Sequence, residues 1–346
     1  MKEAYSFDDV LILPEYSEIG SRFDCDTSPN LPFLNMSIPV FAANMDTICG
    51  VKMVKKMDEL GGCGILHRSM KVTEVFSIIS DLVLERMPET LQPSPIIISV
   101  GSVHQDKRRI DLILSESNSE YRFGICVDLA HGDTKHMKDT LHYIRSHGFK
   151  GLIIAGNICT REGAERLFDF GADIVKVGVG PGSACTTREK TGCGFPQLSA
   201  VEECSKVGPV IADGGIRKPG DAAKALAVGA QAVMVGGILA GTDCTPSWTP
   251  SPVTNLEFRG MASEEAKASC GASIRNVEGI STRVPWKPKG STQDVIEDLV
   301  DGIRSAMSYT GAKTLLDFRT KSRIIKTTGT ITKENEPHII TKLGDC

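Results

Sequence analysis

The sequence predicts an α/β fold, a (β/α)8 TIM barrel with two long active-site loops and a C-terminal tail. Three observations predict it. First, eight short apolar, β-branched runs recur along the 346 residues: 38–45, 62–67, 96–101, 124–130, 151–158, 173–180, 209–215 and 231–237. Near-continuous apolar runs of this length suit strands buried on both faces, as parallel strands are. Second, the runs start 22 to 36 residues apart, the length of a strand–helix unit. Third, GADIVKVG (171–178) is echoed by GAQAVMVG (229–236), so helix end, turn, strand and glycine repeat in one order. A doubly wound open sheet is the other fold that such alternation allows.

Taken in order, the runs are joined by helix-like segments. VKMVKKMDELG (51–61) follows the first run, EGAERLFDFGA (162–172) the fifth and PGDAAKALAVGA (219–230) the seventh. The last two carry a glycine suited to ending a helix. DVIEDLVDGIRSAMSYTGA (294–312) reads as the last barrel helix, and 313–346 as a polar tail with a strand-like RIIKTTG. Two connections exceed a plain strand–helix loop, at about 180–196 and 241–290. Loops of that length in a compact domain are mostly functional, and we expect mobile lids. The expected organisation is one barrel domain over 1–346 with no inserted regulatory domain.

Composition narrows the class. Hydrophobic residues make up 41% and charged residues 24%, as in ordinary globular chains. A net charge of -4 gives no global attraction to nucleic acid or to an anionic membrane, so any phosphate needs a local site. No run approaches the roughly 18 apolar residues of a membrane span. The charged N-terminal MKEAYSFDDV does not read as a signal peptide. Eleven cysteines at irregular spacing, with no C-x-x-C, argue against a disulfide framework or a zinc knuckle. The expectation is a reduced, cytoplasmic protein whose thiols mostly fill core space.

The catalytic face of such a barrel lies at the C-terminal strand ends. The residues there are polar or glycine: Asn44, Arg68, Asp128, Asn157, the loop Gly178–Arg188, Asp213-Gly214-Gly215 and Gly236-Gly237. Glycines at the last two strand ends can cradle a phosphate with backbone N–H groups, although tight turns alone also use them. An aspartate there repels phosphate and suits ribose hydroxyls. Cys185 sits in the glycine-rich loop after the sixth run, where a nucleophilic thiol can be exposed. Arg188 and the backbone donors of Gly180, Gly182 and Ser183 are candidates to favour its thiolate, and the carbonyls of that loop are candidates for a monovalent cation. Cys193 is a weaker rival. Thr187 can pass a proton, although Thr186 and Thr187 by type suit turn caps. Glu278 lies in the second lid, where most glutamates are solvated. The seven histidines are scattered, and His131 and His136 read as surface groups at a helix start.

GVGPGSACTTREKTGCGFPQLSAV (178–201) resembles the active-site loop of the IMP dehydrogenase and GMP reductase family. YSFDDVLILPEYSE, AANMDT, DGGIRKPGDAAKALAVGA, VMVGGILAGT and FRGMAS are similar to further family blocks in the same order, so the resemblance spans the chain. It implies a covalent bond between Cys185 and the purine C2, with Thr187 and Glu278 relaying a proton. It implies nucleotide contacts (GMP or IMP) from Ser183, Asp213, Gly214, Gly215, Gly236, Gly237, Gly260, Met261, Ala262 and Arg275. For NADPH it implies Ser21, Arg22, Asn44, Arg68, Asp128, Leu129, Ala130, Tyr309 and Gly311. For potassium it implies Gly180, Gly182, Cys185 and Arg188. A homotetramer follows from the same resemblance. Three features favour the reductase branch, which turns GMP into IMP and ammonia. Only about thirty residues separate HRSM (67–70) from IIISVG, too few for paired regulatory modules. Asn44 in AANMDT is typical of reductases. The second lid lacks an Arg-Tyr pair used to activate water. Against these stand a dehydrogenase-like tail containing Glu334, His131 in place of an asparagine, and Ala262 in place of a serine. The alternatives are an IMP dehydrogenase without regulatory modules, oxidising IMP to XMP with NAD, a non-catalytic nucleotide-binding protein, and a flavin-dependent barrel.

Overall fold

The computed structural model describes residues 3–75, 77–78, 94–116, 123–246, 256–269, 274–284 and 291–328. Glu334, parts of the second long loop and most of the segment between HRSM and IIISVG lie outside the described residues. Eight parallel strands close into a barrel: β2 (Val40–Ala42), β3 (Cys63–Leu66), β4 (Ile96–Val100), β5 (Phe123–Asp128), β6 (Leu152–Ile158), β7 (Ile174–Val177), β8 (Val210–Asp213) and β9 (Ala232–Val235). Closure is direct, since β2 pairs with β9 in parallel register, Phe41 opposite Met234. The open doubly wound sheet is therefore not the fold. The strands are shorter than the apolar runs, because the last residues of most runs leave the ladder and form the mouth.

Period-two alternation sorts the strand side chains into two cores. Val40, Ile98, Val127, Val175, Ala212 and Val235 face outward and pack under the helices. Phe41, Ile65, Ile97, Cys126, Ile154, Ile174, Ile211 and Met234 face inward and fill the barrel. Each fully buried aliphatic side chain stabilises the fold by about 1.5–3 kcal/mol. The top inward layer is different. It holds Ser99, Asp128, Lys176 and Asp213, two residues beyond Ile97, Cys126, Ile174 and Ile211 on the same strands.

Outside the barrel, β1 (Val10–Ile12) pairs antiparallel with β12 (Ile324–Lys326), so the strand-like RIIKTTG is a strand that fastens the two ends of the chain together. The polar tail also contains a helix at Leu315–Lys321, capped by Thr314, with Leu315 and Phe318 buried. The last barrel helix runs Thr292–Tyr309, starting from the Ser291/Asp294 capping box. Neither long loop is plain coil. The first carries a short helix, Thr187–Thr191. The second carries the antiparallel pair β10 (Leu256–Arg259) and β11 (Ser281–Val284) and a helix at Glu264–Ser269. Cys25, Cys49, Cys63, Cys126, Cys204 and Cys244 are buried, Cys159 and Cys185 half-buried and Cys193 exposed. Among the described residues no helix is long and apolar enough to cross a membrane.

Candidate active site

The two long loops meet over the end of β7. A single strip of backbone from the second loop, 278–280, joins the cysteine loop to the turn after β10. Thr186 N–H donates to the Glu278 carbonyl (2.9 Å), Ile280 N–H to the Ala184 carbonyl (2.9 Å), and Gly260 N–H to the Ile280 carbonyl (3.0 Å). Cys185 and Gly279 form an isolated antiparallel bridge. The approach is close enough that a Cβ at Gly260 would lie 2.7 Å from the Ala184 carbonyl oxygen. Glycine is thus required at 260 for the loops to touch, and the contact brings Met261 and Ala262 beside the thiol loop.

That strip aligns three side chains. Cys185 Sγ donates to Thr187 Oγ1 at 3.2 Å, and Thr187 Oγ1 donates to Glu278 Oε2 at 2.8 Å. The sulfur, the hydroxyl and the carboxylate form one path for a proton, from residues 91 apart in sequence at its longer step. Arg188 takes no part in it. Its guanidinium donates to the carbonyls of Val179 (3.1 Å) and Phe195 (2.6 Å), bracing the loop ends instead of stabilising a thiolate. Cys193 is exposed beyond the short helix, its Sγ 3.8 Å from the Thr191 carbonyl. Arg275 is exposed before the strip, with its carbonyl held by Lys267 Nζ.

Glycine turns surround Ser183. Gly214 and Gly215 both adopt positive φ (89° and 81°) and lie against Pro181 and Gly182. A Cβ at Gly237 would sit 2.7 Å from Ser183 Oγ. A tight turn starts at Gly236, whose carbonyl accepts from Leu239 and Ala240. The ends of β7, β8 and β9 thereby converge on one small cradle of backbone that brings Ser183, Gly214, Gly215, Gly236 and Gly237 together.

Below this rim lies a polar cluster around a buried lysine. Lys176 is 1% exposed, and its ammonium donates to Asp128 Oδ1 at 2.6 Å and to Asp213 Oδ2 at 3.0 Å. Asp213 Oδ2 also accepts from Asn157 Nδ2 at 2.9 Å. Asn157 points there from a register shift between β6 and β7, the use bulges have beside sites. Asn44 Nδ2 donates to Ser99 Oγ at 2.9 Å. Burial works against the Lys176 ammonium, but Asp128 and Asp213 outweigh it and hold its pKa above the ordinary lysine value. Burial likewise pushes Asp128 up, yet Lys176 and Arg68 outweigh that and keep it below the ordinary carboxylate range. Sequence reading missed Lys176. The one signal was a lysine in the valine run of β7, which by itself marks no partner.

Arg68 Nη1 is 3.5 Å from the Asp128 carbonyl, and its Nε is buried without a partner. Leu129 exchanges backbone hydrogen bonds with Gly156 and Asn157. Asn44, Arg68, Asp128, Leu129 and Ala130 therefore share the β2–β6 side of the mouth. Ser21, Arg22, Tyr309 and Gly311 do not join them. Tyr309 ends an 18-residue helix that starts at the mouth, where Thr292 binds Asp243. At about 1.5 Å per residue that helix carries it about 27 Å away. Arg22 donates to Ser305 on the last turns of the same helix. A second missed feature is the Arg259–Asp46 ion pair, which fastens β10 to the loop after β2.

The family model of the IMP dehydrogenase / GMP reductase domain matches residues 4–338. GMP reductase 1 of Mus musculus is 37% identical over 337 residues, covering 93% of this chain and 94% of the relative. The GMP reductase of Shewanella pealeana is 35% identical over 335 residues, covering 92% and 94%. A crystal structure of GMP reductase from Trypanosoma brucei in complex with guanosine 5'-monophosphate superposes with a TM-score of 0.83 at 27% identity, covering 99% of each chain. By its sequence, its closed barrel and these relatives, the chain belongs to the IMP dehydrogenase / GMP reductase family.

Proposed function

We infer that the chain is a GMP reductase, a nicotinamide-dependent oxidoreductase that removes the 2-amino group of GMP as ammonia and leaves IMP. The Cys185–Thr187–Glu278 path beside a glycine cradle carries this reading. The 5'-phosphate sits on Ser183, Gly214, Gly215, Gly236 and Gly237, where backbone N–H groups neutralise it. Asp213 offers its Oδ1 to the ribose hydroxyls, since Oδ2 is taken by Lys176 and Asn157. Gly260, Met261, Ala262 and Arg275 frame the purine.

The Cys185 sulfur then bonds to C2. Its proton passes through Thr187 toward Glu278 and returns by the same path to the departing amine, so the C–N bond breaks with neutral ammonia as leaving group. The nicotinamide, when bound, supplies the hydride that becomes the C2 hydrogen of IMP, and the sulfur leaves as thiolate. Asn44, Arg68, Asp128, Leu129 and Ala130 hold the nicotinamide end; the unpartnered buried Nε of Arg68 is a donor in wait for such a ligand. NADPH is the form we propose. In a homotetramer, Ser21, Arg22, Tyr309 and Gly311 of a neighbouring copy would meet its far end, since within one chain they lie at the wrong end of the barrel. Potassium fits the carbonyls of Gly180, Gly182, Cys185 and Arg188. Those of Gly182 and Arg188 already accept from Cys185 and Gly192 N–H, and each keeps a second lone pair. The reading places the enzyme in cytoplasmic purine interconversion, as one barrel without a regulatory insert.

The test pairs two assays of nicotinamide absorbance, GMP with NADPH and IMP with NAD. Loss of the reduced-nicotinamide band in the first, abolished by Cys185→Ala, is the expected result. A gain in the second alone would replace the reductase by the dehydrogenase.

A further inference from the structure

Lys176 raises a question that stability does not answer. Its inward neighbours one layer down, Ile174 and Ile211, show that apolar side chains fill this barrel. Buried ion pairs are commonly neutral or costly compared with well-packed apolar residues, by about 1–4 kcal/mol. A lysine with two carboxylates at the top of the barrel therefore calls for another reason.

The two carboxylates end different strands and face different halves of the mouth. Asp213 precedes Gly214 and Gly215 in the nucleotide cradle. Asp128 precedes Leu129 and Ala130 on the side of Asn44 and Arg68. The ammonium is the bond between them, and each is held through a single named oxygen: Asp128 Oδ1 and Asp213 Oδ2. We propose that Lys176 is a positioning residue whose one ammonium fixes the ribose acceptor of the nucleotide subsite and the carboxylate of the nicotinamide subsite together. The proposal rests on the reductase reading of the two subsites. The charged and titratable groups facing the ammonium are Asp128 and the Cys126 thiol from β5 and Asp213 from β8, with Arg68 reaching Asp128 from the end of β3. Burial pushes the Cys126 thiol up to about 12, so it adds no charge at neutral pH. The cluster of Lys176 and its two carboxylates thus carries one net negative charge. Without the lysine it carries two, in a place that must accept a phosphate-bearing ligand.

Lys176→Met keeps most of the length of the side chain and removes the charge. Titration calorimetry reads GMP binding without cofactor and NADPH binding without GMP, in wild type, Lys176→Met and Lys176→Arg. The expected result is a loss of about tenfold or more for both ligands in Lys176→Met, within the 5- to 150-fold range of intersite coupling, with most of it restored in Lys176→Arg. A purely structural lysine would lower stability and leave both affinities alone. Folded Lys176→Met with both dissociation constants within twofold of wild type overturns the proposal. If Lys176→Met does not fold, Asp128→Asn decides. It leaves Asp213 as the one carboxylate on the ammonium and should tighten GMP binding several-fold from the other subsite, and an unchanged or weaker GMP affinity overturns the proposal. Wild-type protein that binds neither GMP nor NADPH would instead sink the reductase reading itself.

Discussion

The floor and the rim of the barrel mouth are built in opposite ways. The floor is Asp128, Lys176 and Asp213, held on strands, the lysine buried and the carboxylates half-buried, and bonded to one another through charge. The rim is Cys185, Thr187 and Glu278, held on two loops, half-buried, and bonded through neutral or singly charged contacts. Strands fix a side chain to within the tolerance of the sheet, which suits groups that must orient a ligand. Loops can present a thiol to a ligand and withdraw it, which suits the group that forms and breaks a bond. The rim nevertheless has its own ladder, since 278–280 pairs with both 184–186 and 260. Reactivity is placed on loops, but on loops stitched together by backbone hydrogen bonds.

The comparison can be broken at the rim first. Cys185→Ala should lower kcat by more than about 10^4-fold with the fold intact, while Cys193→Ser stays near wild type, because only one of the two thiols has a proton path. Equal loss in both, read in the same steady-state assay, would move the nucleophile out of the rim as drawn. Glu278→Gln comes next. It keeps the hydrogen bond to Thr187 but cannot hold the proton, so kcat should fall about 10^2- to 10^3-fold with KM for GMP little changed. A rise in KM at constant kcat would make Glu278 a binding group.

The floor sharpens the contrast through stability. Ile211→Ala opens a cavity one layer below Asp213 and should cost about 2–5 kcal/mol in the denaturant midpoint, with the rim's kcat close to wild type in native buffer. A large loss of kcat without loss of stability would show the two regions to be less separate than drawn. The smallest effect is expected on the outer wall. The Arg166 hydrogen bond holds the Asp133 carboxyl below its ordinary value, against the opposing effect of burial. A depressed carboxylate stabilises the fold above its unfolded pKa, and that contribution is lost as pH falls through the folded pKa. Wild type should therefore exceed Asp133→Asn by less than about 1 kcal/mol at neutral pH, and the gap should close in acid below the ordinary value of 3.8. A gap that persists there would have a cause other than charge.

Much of this was legible from residue order. The eight apolar runs, their spacing and the repeated GADIVKVG and GAQAVMVG determined a wheel of strand–helix units, because burial on both faces writes itself into a local pattern. The glycine-rich cysteine loop and the glycine pairs after 213 and 235 were legible for the same reason: they lie within a few residues of one another. The helix at Leu315–Lys321 was hidden in a polar tail, since only Leu315 and Phe318 are buried and the signal is two residues long.

What the sequence could not decide is which distant residues meet. Asp128 and Asp213 lie 48 and 37 residues from Lys176, and Thr187 and Glu278 are 91 apart. Arg188 read as a partner of the thiol because it is three residues away, and the folded loop turned its guanidinium to Val179 and Phe195. Ser21, Arg22, Tyr309 and Gly311 were grouped with Asn44, Arg68 and Asp128 as NADPH contacts, and the fold sets Tyr309 at the end of an 18-residue helix, with Arg22 bonded to Ser305 near that end. Periodicity along the chain determines whether a side chain faces in or out. Which inward side chains share a layer is set by strand register and the closing of the barrel, and those are properties of the tertiary structure.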